Sequence, residues 1–282
     1  MSRAGFSDRS GDLALAAEIA GNAAKIAMGH FGSNGDKRSN RFWAKSDGSP
    51  VSEADMAVNA YLKGVIAATR PDDGWLSEEC TDSATRLDKR RLWVVDPIDG
   101  TRDFLRGRTG WAVSVALVED GVVTTAVLAA PAQKRLYAAS AGQGATLNGK
   151  PLKVSGLATL EGVRLPIDVA NMAASFWPSP WPGTAVTKPN SLALRMAMLA
   201  ADEADVWMEG RSVAEWDVAA ASLILSEAGG VVTDRHGAPL RFNQPQPLVH
   251  GVAAATPALH REVLARLDHA LKALSARRRA AA

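Results

Sequence analysis

The most constraining feature of this chain is the segment 93–101, which reads WVVDPIDGT. Its first three residues are apolar and rich in strand formers, so they predict the end of a buried β-strand. Pro97 fixes its own φ angle and has no N–H group, and we expect it to end that strand. Asp96 and Asp99 can then turn to the same side of the following loop, where their carboxylates would lie together.

Gly100 and Thr101 complete the segment with features that suit an anion. Gly100 has no side chain, so another group can approach the backbone closely. Thr101 is a favourable N-cap, and we expect it to begin a helix whose free N–H groups point towards the carboxylates. Such an arrangement suits a metal ion that holds a phosphate group. An ordinary Asx turn before a capped helix would use the same residues, so the segment alone leaves both interpretations open.

The composition of the 282 residues narrows the class of protein. Apolar residues make up 47%, enough for a sizeable core in one large domain or two smaller ones. The net charge is +2 and the two signs are mixed, which argues against a nucleic-acid partner held by bulk charge. A single cysteine fits a reducing compartment. Since we find no apolar leader and no apolar stretch of bilayer length, we expect a soluble cytoplasmic protein with no membrane partner.

Hydrophobic periodicity predicts five helices, at residues 13–28, 52–67, 192–201, 218–228 and 263–274. Val-rich runs at 112–118 and 122–130 flank the dipeptide Asp120-Gly121, which is typical of a β-hairpin. Further strands are predicted at 136–139, 231–233 and 248–254, and a polar loop at 33–40.

These elements differ between the two parts of the chain. The first part combines helices with an antiparallel sheet, whereas the second alternates helix and strand as an α/β unit does. We therefore predict an α+β half over residues 1–155, carrying most of the acidic candidates, and an α/β half over residues 156–282.

Further carboxylates stand at predicted strand ends and helix starts. Glu78 closes a strand, Asp55 lies in the first turn of a helix, and Asp217 begins another helix. Each alone has an ordinary explanation, such as helix capping or a favourable charge on a helix dipole. Together with Asp96 and Asp99, they form the oxygen-rich set that a site for more than one Mg²⁺ ion needs.

Four blocks of the sequence, in the same order, resemble the inositol monophosphatase family. They are VSEAD at 51–55, SEE at 77–79, WVVDPIDGT at 93–101, and WDVAA at 216–220 closing in EAGG at 227–230. The resemblance implies a layered αβαβα sandwich of the inositol monophosphatase and fructose-1,6-bisphosphatase type. It also implies Mg²⁺-dependent, lithium-sensitive hydrolysis of a phosphomonoester by a homodimer.

The resemblance also implies a role for each residue of these blocks. Ligands for two or three Mg²⁺ ions would come from five residues, namely Glu78, Asp96, Ile98 (through its carbonyl), Asp99 and Asp217. Thr101 paired with Asp55, helped by Glu78, would orient and activate the attacking water. The backbone N–H groups of Gly100 and Thr101 would hold phosphate oxygens.

The residues that would contact the rest of the substrate depart from the family pattern. In inositol-specific members, an acidic residue seven positions before the aspartate of the second signature contacts the inositol hydroxyls. That position is Gly210 here, with Glu209 beside it. Asn190-Ser191 stands where many members have Gly-Ser, so Ser191 and Glu209 are our candidate substrate contacts.

Several phosphomonoesters are therefore candidate substrates. The leading candidate is inositol monophosphate or a related polyol or sugar phosphate. The first alternative is a 3′(2′),5′-bisphosphate nucleotidase acting on 3′-phosphoadenosine 5′-phosphate, in which Trp177 and Trp181 would stack on the base, although both could equally be packing residues. Histidinol phosphate, or phosphate binding without turnover, is a weaker alternative.

Overall fold

Six α-helices are present in the computed structural model, which describes residues 9–32, 41–45 and 48–281. They are α1 (Arg9–His30), α2 (Glu53–Thr69), α3 (Thr101–Leu105), α4 (Leu192–Ala200), α5 (Glu215–Glu227) and α6 (His260–Ala281). All five helices expected from periodicity are confirmed, and α3 is the short helix expected at Thr101. The loop predicted at 33–40 lies outside the described residues.

A seven-stranded sheet forms from consecutive segments of the first half. Its strands are β3 (Gly74–Ser77), β4 (Arg91–Asp99), β5 (Ala112–Glu119), β6 (Val122–Ala130), β7 (Arg135–Ser140), β8 (Ala145–Leu147) and β9 (Lys150–Pro151), in that spatial order. Strands β3 and β4 are parallel, and the remaining neighbours are antiparallel. The predicted hairpin is confirmed between β5 and β6, where Asp120 and Gly121 have φ of 50° and 78°, as a two-residue turn requires.

A three-stranded sheet forms from the second half. Strand β14 (Leu248–Ala255) lies between β12 (Val206–Ala214) and β13 (Val231–Thr233) and runs antiparallel to both. Since β12 and β13 are joined by α5 and point the same way, the unit is a βαβ split by a third strand. The remaining short strands form two separate two-stranded sheets. One pairs β1 (Phe42–Ala44) with β2 (Pro50–Ser52), and the other pairs β10 (Val163–Leu165) with β11 (Gly183–Ala185).

Alternating side chains bury both faces of the large sheet and so define the layers. On β4, Trp93 and Val95 join the cluster formed with α1 and α2, whereas Leu92 and Val94 join the cluster formed with α4 and α5. The second cluster also includes one face of the small sheet, and α6 packs on the other face of that sheet. The order of layers is therefore αβαβα, as expected from the resemblance.

Strand β4 does not end where we expected. It passes through Pro97 and continues to Asp99, so the prediction that Pro97 ends the strand was wrong. Asp96 pairs with Ser114 and Asp99 pairs with Ala112, which leaves one extra residue on β4. A proline cannot donate to the ladder, and bulges are among the places in a sheet where it occurs. The N–H of the next residue, Ile98, donates to the Asp96 Oδ1 atom at 3.0 Å.

The cluster between the two sheets draws residues from both sides of position 155, including Leu76 and Ala254. The division into halves at that position remains a prediction. None of the helices in the described ranges combines the length and apolar character that a membrane-spanning helix needs.

Candidate active site

Three aspartates that are far apart in sequence meet at the end of β4. Carboxylate oxygens of Asp96, Asp99 and Asp217 lie within 4.8 Å of one another. The bulge in β4 turns Asp96 and Asp99 to the same side, and α5, which packs on the large sheet, brings Asp217 from the second half. The Asp217 Oδ2 atom accepts the backbone N–H of Ala214 at 3.1 Å, which fixes the carboxylate at the start of its helix.

Burial raises the pKa values of all three carboxyls, and repulsion from neighbouring carboxylates adds to the effect for Asp96 and Asp217. The pKa of Asp96 is well above its usual value because the group is buried and because Glu78, Asp99 and Asp217 lie nearby. Burial, followed by the charges of Asp99 and Glu78, does the same to the pKa of Asp217. Burial raises the pKa of Asp99 to about 6, although the Ser191 hydroxyl donates to its Oδ2 atom at 2.5 Å. Concentrated negative charge of this kind fits a divalent cation bound by oxygen ligands.

Asp55 offers a second observation in favour of a cation or a water at this site. The N–H and hydroxyl of Ser52 both donate to its Oδ2 atom, at 2.8 and 2.6 Å, and the predicted capping box is confirmed. Its Oδ1 atom is buried and has no hydrogen-bond partner among the described residues. Burial raises the pKa of Asp55 to about 6. A buried carboxylate oxygen without a partner is costly, and a cation or water bound at this position would supply one.

Gly100 and Thr101 occupy positions at the start of α3 that differ by one residue from those expected. Gly100 is the N-cap of α3, with φ of 96°, so the expectation that Thr101 is the cap was wrong. A β-carbon on Gly100 would lie 2.7 Å from the Gly110 carbonyl and 2.9 Å from the Ser191 N atom, so the group that approaches closely is the protein's own backbone. Thr101 is the first helical residue, and its hydroxyl donates to the Ile98 carbonyl at 3.1 Å.

Glu78 reaches the site because β3 is parallel to β4, and both strands end at the same edge of the sheet. Lys45 approaches from the β1–β2 hairpin, with its Nζ atom 2.8 Å from Glu78 and 2.6 Å from Glu79. Burial raises the pKa of Glu79 to about 7 despite this lysine. Sequence reasoning missed Lys45, since its position depends on a hairpin that no local pattern predicted.

The three aspartates and Glu78 line an open cleft of about 510 Å³. Its lining includes every predicted metal ligand, with Gly100, Thr101 and Glu209. It also includes four basic residues that sequence reasoning did not assign to the site, Arg102, Lys188, Arg195 and Arg211. The cleft thus presents acidic oxygens to a cation and basic groups to the anionic parts of a substrate.

The two candidate substrate contacts lie in different places. Glu209 reaches the cleft, and its carboxylate accepts from Arg211 at 3.1 Å. Its one-residue offset from the family spacing coincides with a bulge in β12, where an extra residue lies between Glu209 and Ser212. Ser191 is fully buried and lies behind Asp99, and it caps α4 by accepting the Leu194 N–H at 2.9 Å.

The two tryptophans considered for base stacking are packed elsewhere. Trp181 is only 4% exposed, and the Arg266 guanidinium lies 4.1 Å from its ring centre. Trp177 contacts the edge of Trp181 and donates its indole N–H to the Asn171 carbonyl at 2.7 Å. Neither lines the cleft, so the geometry favours the packing interpretation.

Comparison with known proteins agrees with this site. A sequence model described as the inositol monophosphatase family matches residues 8–272. The chain belongs to this family. Its members are phosphomonoester hydrolases, and the chain is therefore an enzyme of that class.

Individual relatives of this inositol monophosphatase-family enzyme carry different names. A Streptomyces griseus protein named glucose-1-phosphate thymidylyltransferase is 38% identical, covering 82% of this chain and 89% of that protein. Histidinol-phosphatase of Mycobacterium tuberculosis is 34% identical, covering 91% of this chain and 98% of that protein. The structure of an IMPase from Thermotoga maritima superposes with a TM-score of 0.80 at 27% identity, covering 93% of this chain and 98% of that one. The family therefore establishes phosphomonoester hydrolysis as the class of reaction.

The raised pKa values predict how the metal-free phosphatase responds to pH. The pKa of both Asp55 and Asp99 is raised from 3.8 to about 6 in the folded chain, so this state holds protons that the unfolded chain has lost. The free energy of unfolding should therefore fall as the pH rises from about 4 to about 7, by about 3 kcal/mol for each such carboxyl. Calorimetric melting in EDTA across this range measures the effect.

Saturating Mg²⁺ is the matched condition for this experiment. Because a bound cation favours the ionised carboxylates, melting temperatures should then depend much less on pH. Stability that rises steadily from about pH 5 to about pH 8 in EDTA would contradict the burial of these groups in the folded enzyme.

Proposed function

We propose that this enzyme hydrolyses a small phosphomonoester in a Mg²⁺-dependent reaction, with inositol monophosphate or a related polyol or sugar phosphate as the leading substrate. The observation that carries this proposal is the meeting of Asp96, Asp99 and Asp217 within 4.8 Å at an open cleft. Basic groups on the same cleft, among them Arg195, suit the negative charge of a phosphate.

The donor set fits Mg²⁺ rather than a softer metal, because all the candidate ligands are oxygens. Glu78, Asp96, Asp99 and Asp217, with the Ile98 carbonyl, would hold two or three such ions. The bound ions would neutralise phosphate oxygens and lower the pKa of a coordinated water. In our proposal, the backbone N–H groups of Gly100 and Thr101 orient the phosphate at the start of α3.

We assign proton transfer to the side chains of Thr101 and Asp55. Thr101 is nearly buried beside the aspartates, and its Oγ1 atom can accept a proton while it donates to the Ile98 carbonyl. A pKa of about 6 leaves Asp55 largely ionised at neutral pH and able to take up the proton that the attacking water loses. The charge of Glu78 nearby would favour this uptake.

Replacing Thr101 with valine should lower kcat by about 10²-fold or more, because a methyl group of similar shape replaces the hydroxyl that passes the proton. Thr101→Ser keeps the hydroxyl and should stay within a few-fold of wild type. Steady-state phosphate release from the best substrate of the enzyme measures both variants. Equal activity of the valine and serine variants would remove Thr101 from the mechanism.

The substrate is tested by phosphate release from inositol 1-phosphate, 3′-phosphoadenosine 5′-phosphate and histidinol phosphate, measured side by side with Mg²⁺. We expect Mg²⁺-dependent turnover of at least one, with the polyol phosphate leading. Histidinol phosphate is the second candidate, since the similarity to the Mycobacterium tuberculosis histidinol-phosphatase extends over 91% of the chain. No turnover of any phosphomonoester would contradict the proposal and favour a phosphate-binding protein.

Three further properties are proposed from the family resemblance alone. We expect inhibition by lithium, assembly as a homodimer and a location in the cytoplasm. Activity with increasing LiCl, the mass of the particle in solution and cell fractionation test them independently of the substrate.

A further inference from the structure

A buried network of charged and polar groups lies outside the cleft and joins two distant parts of the chain. Arg86, in the 3₁₀ helix Ala84–Asp88, is only 2% exposed although it is charged. Its Nε and Nη2 atoms donate to the Asp82 carboxylate at 2.6 and 2.8 Å. Its Nη1 atom donates to the side-chain oxygen of Asn243 at 2.8 Å, and Nη2 also donates to the Gln244 backbone carbonyl at 2.8 Å. The guanidinium therefore fastens the 3₁₀ helix to the loop that precedes β14.

Glu215 holds the same loop through a different set of atoms. It is the first residue of α5 and is fully buried. Its carboxylate accepts the backbone N–H groups of Asn243 and Gln244, each at 2.8 Å, and its own N–H donates to the Pro247 carbonyl at 2.9 Å. Asn243 has φ of 61°, a left-handed conformation that asparagine tolerates and that can present consecutive N–H groups to one anion. We call this network the buried clamp, and its members are Asp82, Arg86, Glu215, Asn243 and Gln244.

Both ends of the buried clamp continue into predicted metal ligands. Glu215 stands two positions before Asp217 in the first turn of α5, and Arg86 stands eight positions after Glu78. Burial, followed by the charges of Asp99 and Glu78, raises the pKa of Asp217, so the carboxylates that the two segments carry repel each other. The buried clamp joins the two segments by hydrogen bonds and so opposes their separation.

We propose that Arg86 and Glu215 are positioning residues for the cation site. They hold the segments that carry Glu78 and Asp217 at the spacing that a bound divalent cation requires. Neither Arg86 nor Glu215 is among the described residues that line the cleft, so both act through the backbone. Without the clamp, only a fraction of the molecules has both carboxylates in place, and the apparent affinity for the cation falls by that fraction. The inference rests on the proposed Mg²⁺-dependent function.

Titration calorimetry with MnCl₂ and the substrate-free enzyme tests the clamp without turnover. Arg86→Met should weaken Mn²⁺ binding by about tenfold, the lower end of the range for residues that support metal ligands. Asp82 is 37% exposed, so water can replace the lost guanidinium there. Arg86→Lys keeps the charge but cannot form all four hydrogen bonds, and it should recover part of the affinity.

Glu215→Gln cuts the clamp from its other end. The variant keeps the shape of the side chain, but its amide presents one acceptor and one donor group to two N–H groups. It should also weaken Mn²⁺ binding by about tenfold. The double variant with Arg86→Met should bind no more weakly than the worse single variant, because both changes break one link through Asn243 and Gln244.

The Mg²⁺ dependence of phosphate release separates positioning from a purely structural role. The Mg²⁺ concentration for half-maximal rate should rise by about tenfold in Arg86→Met and Glu215→Gln, while kcat at saturating Mg²⁺ stays within about threefold of wild type. Arg135→Met is the matched control, because it removes a partly buried ion pair with Glu203, at 2.7 Å, from a different part of the large sheet. Its Mn²⁺ affinity should equal that of wild type.

Wild-type Mn²⁺ affinity in both Arg86→Met and Glu215→Gln would overturn the inference, even if their stability falls. A comparable loss of affinity in Arg135→Met would overturn it too, since the effect would then follow any buried arginine. Undetectable Mn²⁺ binding by the wild-type enzyme would also refute it. If Mn²⁺ binds more weakly to the clamp variants than to wild type but no phosphomonoester is hydrolysed, the proposed function fails and the clamp stands.

Discussion

Replacing Asp217 with asparagine should reduce phosphate release by about 10³-fold, because a ligand of the proposed cation is lost. Metal-ion stabilisation of transition-state charge contributes several kcal/mol, and each 1.36 kcal/mol is about tenfold in rate. The metal-free variant should be at least as stable as wild type, since the substitution removes a buried charge that Asp99 and Glu78 repel. An asparagine oxygen can still accept the Ala214 N–H. Phosphate release, and melting with and without Mg²⁺, measure these effects.

The combination of lost activity and retained stability distinguishes this account from simple misfolding. Asp268→Asn is the matched control, because Asp268 is an exposed aspartate on α6 that pairs with Lys272 along its own helix. It should leave phosphate release, stability and the response to Mg²⁺ unchanged. An Asp217→Asn variant that keeps wild-type turnover would show that the reaction occurs without this carboxylate.

The largest effect on stability is expected from Arg91→Met. Arg91 lies at the start of β4 and contacts Asp12 at 2.8 Å, Asp73 at 3.1 Å and Glu119 at 2.5 Å. These carboxylates are 5 to 12% exposed and come from α1, the turn before β3, and the end of β5. Methionine fills a similar volume but removes the cation that three nearly buried negative charges share, although Asp12 keeps a longer contact with Arg70 at 3.5 Å. We expect the free energy of unfolding to fall by about 3–5 kcal/mol.

Arg90 provides the control for this prediction. It is the neighbouring residue, but its side chain is 59% exposed and lies 3.9 Å from Asp120, whose side chain is 71% exposed. Arg90→Met should therefore stay within about 0.5 kcal/mol of wild type in urea denaturation. Similar stability of the Arg90 and Arg91 variants would mean that the three carboxylates are not held by Arg91 in solution.

The acidic part of the site could be predicted from the sequence because its residues lie in short local patterns. Asp96 and Asp99 were expected on one side of the chain, and they are. The physical reason was wrong, however, since a bulge inside β4 and not the end of the strand brings them together. Thr101 was misplaced by one residue because the positive φ of the turn is taken up by Gly100, which becomes the cap.

The basic part of the site could not be predicted in the same way. Lys45 lies 33 positions before Glu78, with which it pairs, and no pattern around it indicates that contact. Arg195 lies 96 positions after Asp99, and no pattern around it indicates that it lines the same cleft. Their positions depend on how the β1–β2 hairpin and α4 pack on the sheet.

The most direct test of the central claim is to locate the cation itself. Mn²⁺ prefers the same oxygen ligands as Mg²⁺ and is visible by anomalous scattering in crystals soaked with MnCl₂. The account predicts at least one anomalous peak about 2.0–2.2 Å from carboxylate oxygens of Asp96, Asp99 and Asp217. A saturated crystal with Mn²⁺ elsewhere and none among these three aspartates would contradict it.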